Sequence, residues 1–207
     1  VSAGYIDGFY YKPRIDFEML KEHSKGIIAL SACIAGEVPK ALLRGDYDEA
    51  KKIALKYAEV LGKDNYFLEI QDHGLSEQKR IMPDMLRLSE ETGIGLVATN
   101  DIHYLKKEDA KYQDVLMCIQ MEKKVDDPDR MKFETEEFYI KSPEEMTSLF
   151  EYVPQAIENT EKIAKRCNVD FDFGTRHLPA YAVPDGKDAF EYLRELCQSG
   201  LEKRYSP

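Results

Sequence analysis

Two runs decide the fold: Tyr66-Phe67-Leu68-Glu69-Ile70 and Gly95-Leu96-Val97-Ala98-Thr99. Each is short, rich in apolar, aromatic or β-branched residues, and followed by polar residues, as expected of strands buried in a parallel sheet. Between them lie the polar turn Gln71-Asp72-His73-Gly74 and a helical stretch running to about Thr92, with Gly93 as its C-cap and Pro83 as the place for a kink. Upstream, Gly26 to Leu30 reads as a further strand ending at Ser31-Ala32-Cys33, and a short helix is expected after Pro39. Asp46 is an N-cap with Glu49 at N3, and Ala50, Ile53, Ala54, Tyr57, Ala58 and Leu61 recur at helical spacing until Gly62. Downstream of Thr99, a helix from about Glu108 to Ile119 follows the polar stretch Asn100-Asp101-Ile102-His103-Tyr104. Strand and helix alternate, the rhythm of parallel strands joined by helical crossovers.

From about Met121 the chain turns charged and proline-punctuated, so a boundary or extended excursion is expected between Glu122 and Lys132. Ser142, Pro143 and Glu145 form a helix start, with cap, N1 proline and N3 acid. Pro154 opens another helix, ending near Cys167-Asn168. Leu178 to Gly186 reads as a linker, and a last helix from about Asp188 to Lys203 carries Phe190, Leu193, Leu196, Cys197 and Leu201 as its apolar stripe.

Composition narrows the classes. The 207 residues are 43% hydrophobic, enough to fill a sizeable core. There is no run of eighteen apolar residues and no basic segment leading into an apolar one at the start, so neither membrane insertion nor export is expected. The four cysteines, Cys33, Cys118, Cys167 and Cys197, are far apart without a Cys-x-x-Cys pair, which suits a reducing cytoplasm. A formal charge of -10 opposes a tight grip on phosphate backbones, so a DNA partner would have to be held by another part. The chain starts without Met and stops at Ser206-Pro207, just past a helical pattern, and is expected to be a piece of something longer.

In parallel α/β folds, functional groups collect at the carboxyl ends of strands. Cys33 follows the first strand, Asp72 and His73 the second, Asp101 and His103 the third. Asp101 and His103 are two residues apart, so in extended conformation they share a side and can reach one ion. Carboxylate with imidazole suits zinc, manganese or iron, and a thiolate at Cys33 would favour zinc. On spacing alone, a lone apolar-flanked cysteine such as Cys33 is more often a small core residue than a ligand. Asp72 and His73 are adjacent, point to opposite faces if extended, and precede Gly74, so they are read as turn residues. His23 and His177 have no acidic or cysteine neighbour at ligand spacing and are assigned no role. Asp170-Phe171-Asp172-Phe173 superficially resembles the paired carboxylates of polymerases, but reads as a short strand or turn burying two rings. The acidic run Glu134 to Glu137 is read as a solvated face.

Several stretches together resemble a known family. These are Gly8-Phe9-Tyr10-Tyr11-Lys12-Pro13-Arg14-Ile15-Asp16, the segment Leu30 to Val38, Glu69-Ile70-Gln71-Asp72-His73-Gly74, and Thr99-Asn100-Asp101-Ile102-His103-Tyr104. Further on come Phe138-Tyr139-Ile140-Lys141-Ser142, Ala156-Ile157-Glu158-Asn159-Thr160, His177-Leu178-Pro179 and Tyr192-Leu193-Arg194-Glu195-Leu196. In order and spacing they resemble the alpha subunit of bacterial DNA polymerase III, from the later part of its PHP domain to the lead-in of the palm. The resemblance implies a partial PHP-type (β/α)7 barrel followed by a mainly α-helical extension. Its divisions would be 1–120 for the C-terminal part of the PHP domain, 121–180 for a helical extension packing on it, and 181–207 for a linker and first helix.

Carried over by motif, the resemblance makes Cys33, Asp101 and His103 metal ligands, with zinc or manganese at the PHP site and a link to 3′-5′ exonuclease proofreading. The family's leading His-x-His would precede Val1, and the palm with its magnesium ions would follow Pro207, so this segment alone is expected to be inactive. Implied partners in the parent are DNA primer-template, deoxynucleotides, the sliding clamp and the clamp loader, in the cytoplasm. Two alternatives stand beside this reading: a free-standing PHP phosphoesterase, and a non-catalytic scaffold that braces a polymerase.

Overall fold

A computed structural model describes residues 1–176 and 178–205; His177 therefore lies outside the described residues. The chain divides into two compact units, Val1–Cys167 and Asn168–Pro207. The larger one opens with α1 (Ser2–Ile6), a hairpin of β1 (Phe9–Tyr10) and β2 (Lys12–Pro13), and α2 (Phe17–Glu22). The sheet then follows: β3 (Ala29–Leu30), α3 (Glu37–Leu43), α4 (Tyr47–Leu61), β4 (Tyr66–Ile70), α5 (Ser76–Thr92), β5 (Gly95–Ala98) and α6 (Ala110–Gln120). After an irregular stretch come α7 (Pro143–Leu149) and α8 (Pro154–Arg166).

The sheet is parallel, in the order β3-β4-β5, with Leu30 beside Phe67 and Glu69 beside Val97. This small parallel sheet with helical crossovers is the α/β arrangement read from the sequence. β3 is shorter than expected: Gly26 adopts a positive φ of 79° and Ile27 N–H bonds back to Ser24, so the chain turns where a strand was expected. α3 begins before Pro39 rather than after it, and the proline is tolerated because first-turn N–H groups have no intrahelical acceptor.

The helix boundaries follow their caps. Asp46 Oδ1 accepts from Glu49 N–H at 3.1 Å, and Gly62 ends α4 at φ 89°. Gly93 ends α5 in the left-handed region. Ser142 and Glu145 satisfy each other's backbone N–H groups at the start of α7.

Leu68 and Ile70 of β4 and Leu96 and Ala98 of β5 are buried against Ile81, Met85 and Leu88 of α5 and Val38, Ala41 and Leu42 of α3. Phe150, Val153 and Ala156 belong to the same core. The polypeptide beyond Met121 thus returns to cover the sheet, and Asn159 Nδ2 donates to the carbonyl of Leu96 at 2.7 Å. The irregular stretch is tied back as well, by a bidentate ion pair of Arg130 with Asp114 of α6.

α4 and α5 are joined by Glu91, which meets Lys51 Nζ at 2.6 Å and Arg87 Nε at 2.7 Å. The hydrogen bonds from Lys51 and then Arg87 pull the Glu91 carboxyl down to about 2. A carboxylate depressed on folding stabilises the native state above its unfolded pKa, and the contribution disappears as pH falls towards the native value. Wild type should therefore exceed Glu91→Gln in urea midpoint at pH 6, with the gap closing between about pH 4.5 and pH 2. A gap independent of pH would show that the ionised carboxylate is not the source.

In the smaller unit, α9 (Ala189–Tyr205) follows a largely irregular stretch that includes a short helical turn at Pro184–Gly186. Asp170 to Phe173 is neither a strand nor a buried pair of rings. Asp172 accepts from the N–H groups of Gly174 and Thr175 in a local turn, which leaves Phe171 and Phe173 75% and 93% exposed.

Candidate metal centre

The rim at the carboxyl ends of the strands is built by backbone pairing that continues past each strand. Ser31 N–H donates to Phe67, Ser31 Oγ accepts from Glu69 N–H at 2.8 Å, and Thr99 N–H donates to Ile70. At the same rim, Glu69, Gln71 and Thr99 hydrogen-bond to one another between the ends of β4 and β5.

Cys33 lies in the loop after β3, exposed and without a disulfide. That loop closes tightly: Gly36 N–H donates to Cys33 at 2.8 Å, and a Cβ on Gly36 would fall 2.3 Å from the Ser31 carbonyl, so only glycine fits. Asp101 and His103 follow β5, with Asp101 Oδ1 3.2 Å from His103 Nε2. Two donors on one tetrahedral ion at about 2.0–2.1 Å stand about 3.4 Å apart, so this pair is at chelating distance. Cys33 and Asp101 line one open cavity of about 260 Å³ with Gln71, His73, Lys132 and Glu134. Among the described residues, no three His, Cys, Asp or Glu side chains converge closely enough to hold an ion.

The loop carrying Asp101 and His103 is held by a strap from the segment after Met121. Phe138 C=O accepts from His103 N–H at 2.8 Å, Phe138 N–H donates to Tyr104 Oη, and Asn100 Nδ2 donates to Tyr139 C=O at 2.8 Å. Tyr104 and Tyr139 form a parallel bridge. Phe133 and Phe138 stack at 4.4 Å and both pack against the His103 ring. The acidic run within this strap is not simply a solvated face. Glu134 lines the cavity, and Glu137 pairs with Lys107 because the strap folds back over the loop at 101–107, and with Lys141 four residues along the strap. The hydrogen bond from Lys107 holds the Glu137 carboxyl below its usual range.

Asp72 is a turn residue: its Oδ1 accepts from Gly74 N–H at 2.9 Å. His73 is more than that. Its ring is buried, 1% exposed, and stacks on Phe138 at 4.5 Å with 6° between planes. Burial, reinforced by the nearby Lys141 ammonium, pushes its pKa down and keeps the ring neutral. Adjacency to Asp72 and Gly74 hid this residue in the sequence, and no spacing pattern ties it to Gln78 or Phe138.

The sheet is parallel with a polar rim, and residues 1–73 match the PHP domain family. Asp101 and His103 lie beyond that matched stretch.

Along nearly its whole length the chain is similar to a segment of proteins named DNA polymerase III subunit alpha. It is 47% identical over 206 residues to that subunit from Treponema pallidum, 42% over 210 residues to that from Thermus aquaticus, and 45% over 210 residues to that from Deinococcus radiodurans. Each match covers 99% of this chain. It spans 18%, 17% and 16% of the respective relatives. No helix among the described residues is long and apolar enough to cross a membrane.

Proposed function

We propose that this chain is part of the alpha subunit of a replicative DNA polymerase, whose parent adds deoxynucleotides to a primer on a DNA template. In this reading the segment contributes part of a PHP barrel and its metal site, beside a palm domain that holds magnesium and carries out nucleotidyl transfer. The observation that carries the reading is the similarity of 99% of this chain to a segment of polymerase subunits, joined to the Asp101–His103 pair, 3.2 Å apart, at the sheet rim. A free-standing phosphoesterase is disfavoured because the strap and α8, which the similarity also covers, brace the sheet instead of completing a catalytic set.

Asp101, His103 and Cys33 are the residues that would hold a divalent ion, zinc or manganese by their donor chemistry. When bound, such an ion would supply the polarisation of a phosphate ester and the activation of water that a metal-dependent 3′-5′ exonuclease uses. The protein's own part is positional: the strap fixes His103 through its backbone N–H, and the Gly36 turn presents Cys33 to the cavity that Asp101 lines. The remaining ligands would come from elsewhere in the full-length protein, and Cys33 would have to close on the Asp101–His103 pair, since no three donors converge among the described residues. The same lack of convergence favours a second reading, a scaffold without ions. The full-length protein, purified without chelators, should contain zinc or manganese at near one equivalent or more per chain by elemental analysis, and should extend a primer. Primer extension by metal-free protein at the PHP site would select the scaffold, and absence of primer extension would refute the polymerase assignment.

A further inference from the structure

Resting on the metal-site reading, we infer that His73 is a positioning residue for Asp101, acting through the main chain rather than as a ligand. Asp101 N–H donates to His73 Nε2 at 3.1 Å, across a sequence separation of 28 residues. A neutral imidazole has one lone pair, so when Nε2 accepts this hydrogen bond the ring hydrogen sits on Nδ1. On that side the ring meets the Gln78 amide, whose Nε2 lies 2.9 Å from Nδ1 and whose Oε1 accepts from His73 N–H at 2.7 Å. In this tautomer Gln78 holds His73 through its Oε1 on the main-chain N–H, and the ring's one acceptor serves Asp101.

The ring's remaining surroundings fix its plane. Phe138 stacks on its face, and the His73 carbonyl accepts from Thr135 Oγ1 at 2.6 Å. Since Phe138 C=O also accepts from His103 N–H, the ring joins the end of β4, the loop after β5 and the strap at one point. Both members of the chelating pair thus have their backbone N–H groups held from this cluster: Asp101 by the ring itself, His103 by the residue stacked upon it. A histidine kept only for packing would need its flat face and volume. A positioning histidine needs an acceptor at the Nε2 position.

Side chains of different reach separate these cases. In His73→Gln the amide oxygen falls near the former Nε2, in His73→Asn near the former Nδ1, and His73→Phe keeps the stacked ring without any acceptor. In the full-length protein, hydrogen exchange at the Asp101 amide should accelerate at least about tenfold in His73→Phe and His73→Asn and stay near wild type in His73→Gln. Affinity for Co²⁺, read from its visible absorption, should fall about 10–100-fold in the first two variants and recover in His73→Gln. Slow exchange at Asp101 in both His73→Phe and His73→Asn, or equal loss in His73→Gln and His73→Asn, overturns the inference. If wild type binds no Co²⁺, the metal-site reading fails by itself, and the exchange comparison still judges His73.

Discussion

Asp101→Ala in the full-length protein is expected to weaken zinc or manganese binding more than about 100-fold, beyond the loss typical of removing a ligand's hydrogen-bond partner. The carboxylate is the shorter-armed member of the chelating pair, 3.2 Å from His103 Nε2, and its side chain is 46% exposed, so removing it opens no cavity in the core. Its main-chain N–H remains in place to meet His73. Thermal stability without added metal should therefore stay within the range of ordinary surface substitutions, about ±0.5 kcal/mol. Titration with a chromophoric chelator, alongside calorimetric unfolding, separates the two quantities. Undiminished affinity would remove Asp101 from the site, and a large loss of stability would show that the carboxylate serves the fold instead.

Phe150→Ala should destabilise this chain by about 3–5 kcal/mol. Phe150 is fully buried, and it joins the core of β4, β5 and α5 from a segment that lies beyond the charged, proline-punctuated stretch. Removing the ring leaves a void that α3 and α5 cannot collapse to fill, because α7 is held by its capping box and α8 by the Asn159 bond to β5. Urea denaturation measures the effect. A loss below about 1 kcal/mol would mean that the segment from α7 to α8 rests loosely on the sheet.

What could be read in advance and what could not differ by the range of the interaction involved. Asp46, Gly62, Gly93 and Ser142 act within a few residues of themselves, so caps and helix limits followed from local chemistry. β4 and β5 were legible because a buried parallel strand needs a continuous apolar run. β3 was overextended because the turn at Gly26 is also local but weakly encoded: Ile27 looks the same in a strand and in a bend. The rings of Phe171 and Phe173 were assigned a burial that aromatic character alone does not guarantee, since the neighbouring Asp172 turns the backbone on itself.

The candidate site divides along the same line. By itself the sequence determined that polar, ligand-competent residues follow each strand, and that Asp101 and His103 sit two apart where an extended chain puts them side by side. Only the tertiary structure decided that Cys33 lines the same cavity as Asp101, that a strap some 35 residues downstream grips the His103 loop, and that His73 reaches across to the Asp101 main chain. The reason is physical: strand and cap patterns come from short-range sterics and periodic burial, whereas a hydrogen bond between residues 28 or more apart exists only after the sheet has set the distance between their strands.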